Sequence, residues 1–403
     1  MIRKIPQLKP DVFYVGLNDR KTGLFENIWP IETGVAYNSY LITDQKTALI
    51  DTVDTNMIMD YIIAVQQCLQ GRKLDYIIIN HMEPDHCGGI LIIQKYFPEV
   101  KIIGNKKTFE ILSNFYGVVE NLVEIKEGEE LDLGSRKLQF FMAPMVHWPE
   151  VMMTWDTKDQ TLFTADAFGS YGTLDGGITD EQLDIALYDD EFIRYYSNIV
   201  GKFSNPVQAV LKKMKHLPVK MIASTHGPIF TKQENIAKIF SLYDKLSRNE
   251  TDPGVVIAFA SMYGNTEAMA DVIGRQLAEQ GIKNIRIYDV SKTHPSYIIR
   301  DVFKFKGLIL GSSTYNLDLH PNMHTLISEL EAIGIKNHIF GCFGTFSWAG
   351  RAAKKLEEFG QRMGWEMISP CIEEKGSLKI DKYDECIAMA DAMAKKIMVN
   401  GKL

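Results

Sequence analysis

Two histidines, a glutamate and an aspartate fall within six positions of the stretch HMEPDHCGG, residues 81–89. Imidazole and carboxylate groups are metal donors, and these four follow directly on the apolar run LDYIIIN, which ends at Asn80. Pro84 lacks an N–H and biases Glu83 toward extended backbone, so helix is expected to begin no earlier than Pro84. In extended chain, residues i and i+2 point the same way. His81 and Glu83 can therefore converge on one ion, while Asp85 and His86 lean toward a neighbouring one. Three further donors follow other apolar runs near Gly or Pro: His147 in APMVHWPE, Asp166 in FTADAFG and His226 in IASTHGPI. Such strand-end loops are where function is carried. Seven donors are too many for one tetrahedral ion and suit two ions sharing a carboxylate, for which Asp166 is the natural bridge. Three carboxylates and four imidazoles with no thiolate suit iron or manganese as well as zinc. Cys87, beside His86, would be an eighth donor and reads as structural. Trp148 and Pro149 read as local packing that orients a ligand loop, and YYSNI (195–199) as helix packing, with a tyrosine placed near the metals as the lesser alternative.

A second chemistry is legible in AFASMYGNTEAMA, residues 258–270. Ser261, Tyr263, Asn265 and Thr266 supply hydroxyl and amide groups, and Gly264 permits a tight turn after an apolar strand. At a helix N-terminus such a loop cradles a phosphate through backbone N–H groups and the helix dipole. The P-loop pattern with its lysine is missing, which argues against a nucleoside triphosphate. Two later strand ends break into loops of similar character, GSSTYNLDLH (311–320) and GTFSWAGRA (344–352). Tyr315, Phe346 and Trp348 could pack on a flat ring while serines and backbone satisfy its polar edge.

The elements that must hold these groups differ between the two parts of the chain. Up to about residue 250 the apolar runs are short and β-rich, among them YNSYLIT, KTALIDT, VKIIGN, LQFFMAP, VMMTWDT and TLFTADA, with helical patterns at 57–70 and 205–216. Sheets sandwiched by helices are expected there. From 255 strands and helices alternate regularly, through VVIAFA, a helix over 266–280, NIRIYDV, KGLILGS and HIFGCFG, to a last strand near 366–372. Repeated βα units imply a doubly wound parallel sheet. The boundary is expected near RNETDPG, 248–254, giving domains 1–250 and 251–403.

At 403 residues, with 46% hydrophobic and 24% charged side chains, the composition is that of a globular protein of two or three domains. A net charge of −7 argues against nucleic acid and anionic membranes as partners. No apolar run is long enough to span a membrane, and the start MIRKIPQLKPDVFYVG lacks a signal-peptide core. Five dispersed cysteines without a C-x-x-C pair offer no disulfide framework and no cysteine-ligated iron site. A cytoplasmic location is expected.

The pattern H-x-E-x-D-H, followed by a lone His, Asp and His at strand ends, resembles the metallo-β-lactamase fold. Hydrolases of that fold usually carry histidine at the second position and hold two zincs. Glu83 at that position instead resembles the flavodiiron protein family, since a carboxylate adds charge and hardness that favour iron. The three later loops resemble those of flavodoxin and imply FMN. The whole chain thus looks like a minimal flavodiiron protein: an N-terminal metallo-β-lactamase-like αββα sandwich followed by a flavodoxin-like doubly wound sheet. The resemblance makes His81, Glu83 and His147 ligands of one iron, and Asp85, His86 and His226 ligands of the other, with Asp166 bridging. It assigns FMN contacts to Ser261, Met262, Tyr263, Gly264, Asn265 and Thr266 in the first loop. In the second it assigns Ser312, Ser313, Thr314, Tyr315 and Asn316, and in the third Gly344, Thr345, Phe346, Ser347, Trp348 and Gly350. It implies an oxidoreductase that reduces dioxygen to water, nitric oxide to nitrous oxide, or both, with the di-iron centre as the catalytic group and no separate protein acid or base. FMN would relay electrons from an external donor such as rubredoxin, in a head-to-tail homodimer or dimer of dimers. A dizinc hydrolase with an attached flavodoxin domain is the alternative reading.

Overall fold

The computed structural model describes residues 4–368 and 371–400. The chain divides into two compact units, one running to Tyr196 and including Asn205–Asp244, the other made of Ser197–Ser204 and the chain from Lys245. Among the described residues no helix is long and apolar enough to cross a membrane.

The first unit is built on two sheets. In one, seven strands run in the order Gln7–Lys9, Val12–Tyr14, Tyr40–Thr43, Thr47–Ile50, Tyr76–Ile78, Lys101–Gly104 and Leu122–Glu124. Its first four strands pair antiparallel and the rest join in parallel. The other has five strands, Glu130–Asp132, Lys137–Met142, Met152–Asp156, Thr161–Phe163 and Met221–Ala223, antiparallel except for the last pair. Val12, Tyr40, Ile42, Ile50, Ile78 and Ile103 of the first sheet share one core with Leu138, Phe140, Met152, Phe163 and Met221 of the second. Leu41, Leu49, Ile77 and Ile102, on the opposite face of the first sheet, are fully buried as well. That two-sided burial is why these strands read as continuous apolar runs rather than alternating ones.

Register brings the strand ends together. Phe163 pairs with Ala223 in parallel, so Asp166 and His226, each three residues further on, emerge at the same edge. Ala165 O accepts from Thr225 N at 3.0 Å and prolongs that pairing into the loops. The two sheets are stitched beside the first cluster by Met152 N, which donates to Asn80 O at 3.0 Å, and by Thr154 Oγ1, which donates to Asn80 Oδ1 at 2.7 Å.

The second unit is a parallel sheet in the order Ile285–Asp289, Asp252–Ala260, Phe305–Tyr315, Ile339–Phe346, then the edge. Counted along the chain this is the 2-1-3-4-5 order of flavodoxin-like folds, with a switch point between the strands Asp252–Ala260 and Phe305–Tyr315. Helices Asn265–Glu279 and Ile380–Asn400 pack together. Their apolar residues Ile273, Leu277, Met389 and Met393 join Val255, Ile257 and Ile309 in one core. The single last strand expected near 366–372 is instead two short ones, Glu366–Met367 and Ile372–Lys375, both paired with Ile339–Phe346. Residues 369 and 370 of that expectation lie outside the described residues.

Candidate metal centre and cleft

The first unit gathers all seven expected donors into two adjoining groups, His81, Glu83, His147 and Asp166 in one and Asp85, His86 and His226 in the other. Within each group the donor atoms lie within 4.8 Å of one another. The loops that carry them leave their strands through left-handed residues, Met145 (φ 64°) before His147 and Ala165 (φ 51°) before Asp166. Non-glycine residues hold such angles only where the surroundings impose them, and they concentrate at functional sites. Pro84 opens the short helix Pro84–Cys87, with Glu83 extended at its start, so the proline separates His81 and Glu83 from Asp85 and His86.

In the first group, Glu83 Oε2 lies 3.1 Å from both His81 Nε2 and His147 Nε2. Asp166 Oδ2 is 3.0 Å from His147 Nε2 and 3.4 Å from His81 Nε2. The other oxygen of Asp166, Oδ1, turns to the second group and lies 2.9 Å from His86 Nε2. There Asp85 Oδ1 is 3.3 Å from His86 Nε2, and Asp85 Oδ2 is 3.2 Å from His226 Nε2. Donors around one ion at bonds of about 2.1 Å sit ~3.0–3.4 Å apart, and both groups show that spacing.

The donor set fits cations for a further reason. Both carboxylate oxygens of Asp85 are buried without a hydrogen-bond partner, a costly arrangement unless a positive charge satisfies them. His86 Nε2 and His226 Nε2 face each other at 3.1 Å, where two imidazole lone pairs need something positive between them. Electrostatics point the same way. Burial works against charge on His81, yet Asp166, Glu150 and Glu83 outweigh it and raise its pKa well above the ordinary value. Burial likewise opposes charge on His86, but Asp85 and Asp166 raise it to about 9. Glu83 and Asp166 are lowered despite burial, by hydrogen bonds from His147 and His81 on Glu83 and by the nearby His86 and His81 on Asp166. The carboxylates are thus poised to hold positive charge.

Residues absent from the sequence-level set hold these donors in place. Glu150 is completely buried, and its Oε1 lies 2.8 Å from His81 Nδ1 while accepting from Met82 N at 2.9 Å. His226 Nδ1 lies 2.8 Å from Ala36 O, so both rings turn Nε2 inward. Thr225 Oγ1 donates to Asp166 Oδ1 at 2.6 Å, and Asp51 Oδ1 accepts from Asn80 N at 2.8 Å at the root of the ligand loop. Glu150 closes the HWPE stretch three residues after His147, and Thr225 directly precedes His226; adjacency to a ligand was the available signal. Aromatic rings wall the cluster. Phe25 meets His226 edge-on at 5.2 Å, and Trp148 meets His81 at 5.3 Å. Helix packing was the main expectation for YYSNI, but Tyr195 packs beside the donors, its ring 5.6 Å from His226. Its buried hydroxyl has no hydrogen-bond partner among the described residues. Tyr196 turns away onto Tyr243 because successive helical side chains point in different directions. Glu26 sits on an exposed hairpin, but its carboxyl reaches Glu83; local desolvation and the Glu83 charge raise it to about 10. Cys87 stands outside both groups and donates its thiol to Met82 O.

In the second unit the three expected loops line a cleft of about 490 Å³. Ser261, Met262, Tyr263, Asn265 and Thr266 come from the first loop, Ser313, Thr314, Tyr315 and Asn316 from the second, and Thr345, Phe346, Ser347 and Trp348 from the third. Leu317 and Ala349 also line it and were not anticipated. Gly264, Ser312, Gly344 and Gly350 do not. Gly264 (φ 89°) makes the turn into helix Asn265–Glu279, while Ser312 Oγ is engaged with Ser313 O and His320 N. Gly344 is needed for close packing, since an added Cβ would lie 2.8 Å from Ala353 N, whereas at Gly350 it would meet the movable end of the Glu373 side chain at 2.5 Å.

The cleft suits a phosphate joined to a flat ring. No side chain caps the helix Asn265–Glu279, which leaves its first-turn N–H groups to an anion. Ser313 Oγ is buried in the lining without a partner. Trp348 is 87% and Tyr263 80% exposed, beside partly exposed Tyr315 and Met262. So much aromatic surface around one cleft marks a binding site.

The comparisons with known proteins match both parts of the chain. A family described as ODP family beta lactamase matches residues 35–227, and one described as flavodoxin matches residues 257–389. The chain is 33% identical over 360 residues to an anaerobic nitric oxide reductase flavorubredoxin of Vibrio vulnificus, covering 87% of this chain and 71% of that protein. A flavo di-iron protein from Thermotoga maritima superposes with a TM-score of 0.87 at 26% identity, over 97% of this chain and 98% of that one. The rubredoxin oxygen:oxidoreductase of Desulfovibrio gigas reaches a TM-score of 0.94 over 98% and 99% of the two chains; at 24% identity it speaks for the fold alone. Identity of 33% over most of both chains, with family matches to the lactamase-like and flavodoxin segments, places the chain in the flavodiiron protein family of oxidoreductases.

Proposed function

We propose that the protein reduces a diatomic gas, nitric oxide to nitrous oxide or dioxygen to water, with two irons held in residues 1–250 and FMN held in residues 251–403. When bound, the irons and the reduced flavin supply the electrons for that reduction, drawn from an external donor of the rubredoxin kind. Glu83 carries the reading: a carboxylate stands within 3.1 Å of two histidines, where a neutral imidazole would suit zinc hydrolysis. The hard, anionic donor favours iron. His81, Glu83 and His147 would hold one ion, Asp85, His86 and His226 the other, and Asp166 offers one oxygen to each group.

The chain's own residues do the positioning. Glu150 and Ala36 O fix the ring orientation of His81 and His226, and Thr225 fixes the bridging carboxylate. Phe25, Trp148 and Tyr195 keep bulk water from the rings they cover. In the cleft, the backbone of 261–266 would take the phosphate, and Tyr263, Tyr315 and Trp348 the ring system. Nitric oxide is the gas to assay first, because the relative at 33% identity is a nitric oxide reductase by name.

The test is protein expressed anaerobically with ample iron, assayed for iron, zinc and FMN and then for anaerobic turnover of each gas with a reduced rubredoxin. Iron in both groups with turnover is expected, and Glu83→Ala and Asp166→Ala should abolish turnover while FMN is retained. Two zincs with no iron would instead support the hydrolase reading. Unchanged turnover in both variants would leave a simple electron-transfer flavoprotein.

A further inference from the structure

The second unit contains a pair of thiols that neither site employs. Cys342 lies in the strand Ile339–Phe346, and Cys371 stands immediately before the strand Ile372–Lys375. Phe343 pairs with Ile372 in parallel, so the two cysteines oppose each other one step earlier in the ladder. Both are free cysteines, and their sulfurs are 2.7 Å apart. Adjacent strands run ~4.7–4.9 Å apart, which is inside the Cα separation of about 4.4–6.8 Å that a disulfide spans. A bond could therefore close without moving either strand. The two thiols differ in access, Cys342 being buried and Cys371 partly open to solvent.

We propose that Cys342 and Cys371 form a peroxide-responsive dithiol that closes reversibly into a disulfide. The oxidant is hydrogen peroxide. Cys371 Sγ attacks one peroxide oxygen, the O–O bond breaks, one water leaves and Cys371 becomes a sulfenic acid. Cys342 Sγ then attacks that sulfur, the S–O bond breaks, and the hydroxyl leaves with the Cys342 proton as a second water. Two thiols lose two electrons and one peroxide gains them. An external dithiol restores the pair by thiol–disulfide exchange. Access assigns the order, because the open thiol meets peroxide first and the buried one resolves it. The thiol contact with Cys371, together with burial, raises the Cys342 pKa well above its ordinary value, which disfavours it as the thiol that meets peroxide first. The bond would tie the strand that leads into Thr345, Phe346 and Trp348 to its edge neighbour. The proposal is independent of which metal or gas the first unit takes.

The test treats the full-length protein, as purified, with graded hydrogen peroxide, followed by alkylation and trypsin. Peptides 337–351 and 363–375 should appear joined, lighter by two hydrogens than their sum, at peroxide levels below those that oxidise Cys68, which is also partly open to solvent. Dithiothreitol should separate them. Cys342→Ala should let a sulfenic acid accumulate at Cys371 that dimedone traps; since alanine is small and apolar at a buried site, flavin absorbance and circular dichroism check that the variant folds. Joined peptides that appear only after Cys68 is oxidised would overturn the proposal. So would oxidation of Cys371 to sulfinic acid with no joined peptide.

Discussion

His81 faces two ways, with Nε2 among the candidate ligands and Nδ1 2.8 Å from Glu150. A histidine donating its outer N–H to a carboxylate is fixed in tautomer and rotation and becomes a stronger donor to a metal. Glu150→Gln keeps the shape and an acceptor oxygen but removes the charge. It should weaken metal retention within the roughly 10–100-fold range usual for such supporting groups and leave FMN content unchanged. Chelator competition on wild type and variant measures this, and coincident competition curves would show that Glu150 serves packing alone. The same contact shows what the sequence could and could not disclose. All seven donors were legible because each follows an apolar run and they are dense in chemistry-bearing types. Glu150 had only its nearness to His147 to mark it, because it acts on His81 across 69 residues; Ala36 had nothing, since it acts across 190 and no local spacing encodes a backbone carbonyl that meets a ring nitrogen.

Whole elements were missed for a different reason. The hairpin of Leu24–Phe25 and Trp29–Pro30 has strands of two residues, too short for any periodicity to register. Yet it carries Phe25 onto His226 and Glu26 to Glu83. The longer runs, Thr47–Ile50 and Lys137–Met142 among them, were readable because burial on the sheets repeats a clear apolar pattern. How the two sheets of the first unit are tied was hidden in turns. Asp44 follows the strand Tyr40–Thr43, and its Oδ2 accepts from Ser135 N at 2.8 Å and Arg136 N at 2.9 Å, in the turn that opens the strand Lys137–Met142. Burial works against charge on Asp44, but the N–H groups of Gln45, Ser135 and Arg136 with the Ser135 hydroxyl hold its carboxyl below the ordinary 3.8. A carboxyl lowered in the folded state stabilises it above the unfolded value, and that contribution is lost as pH falls through the folded one. Asp44→Asn should therefore cost about 1–3 kcal/mol at pH 7, and the gap to wild type should narrow steadily as the pH is taken below about 4. Urea midpoints of both proteins at neutral and acid pH test the sign. A gap that holds constant, or widens in acid, would mean that the charge on Asp44 is not what ties the turns.

At the scale of the molecule, the expected change of grammar near residue 250 leaves out a short segment upstream. Residues Ser197–Ser204 belong with the second unit although the chain on either side belongs with the first. Gly201 lies so close to the Phe303 ring that an added Cβ would be 2.7 Å from it, and Asn198 Nδ2 donates to Ser296 O at 3.2 Å. Phe303 is 4% exposed. Composition gives no hint of such a crossing, because a segment of eight residues is too small to shift any average. A fragment of residues 245–403 retains the whole parallel sheet and all three cleft loops and should fold and bind FMN. It lacks the cover over Phe303, and exposing a phenylalanine side chain costs on the order of 1.5–3 kcal/mol. Its urea midpoint, followed by flavin fluorescence, should accordingly lie below that of the same transition in the full chain. A synthetic peptide of residues 195–206 added in excess should restore part of the difference, because anything that binds only the folded fragment raises its stability by mass action. If the fragment matches the full chain and ignores the peptide, the crossing contributes nothing to stability and Phe303 is held by its own unit's core alone.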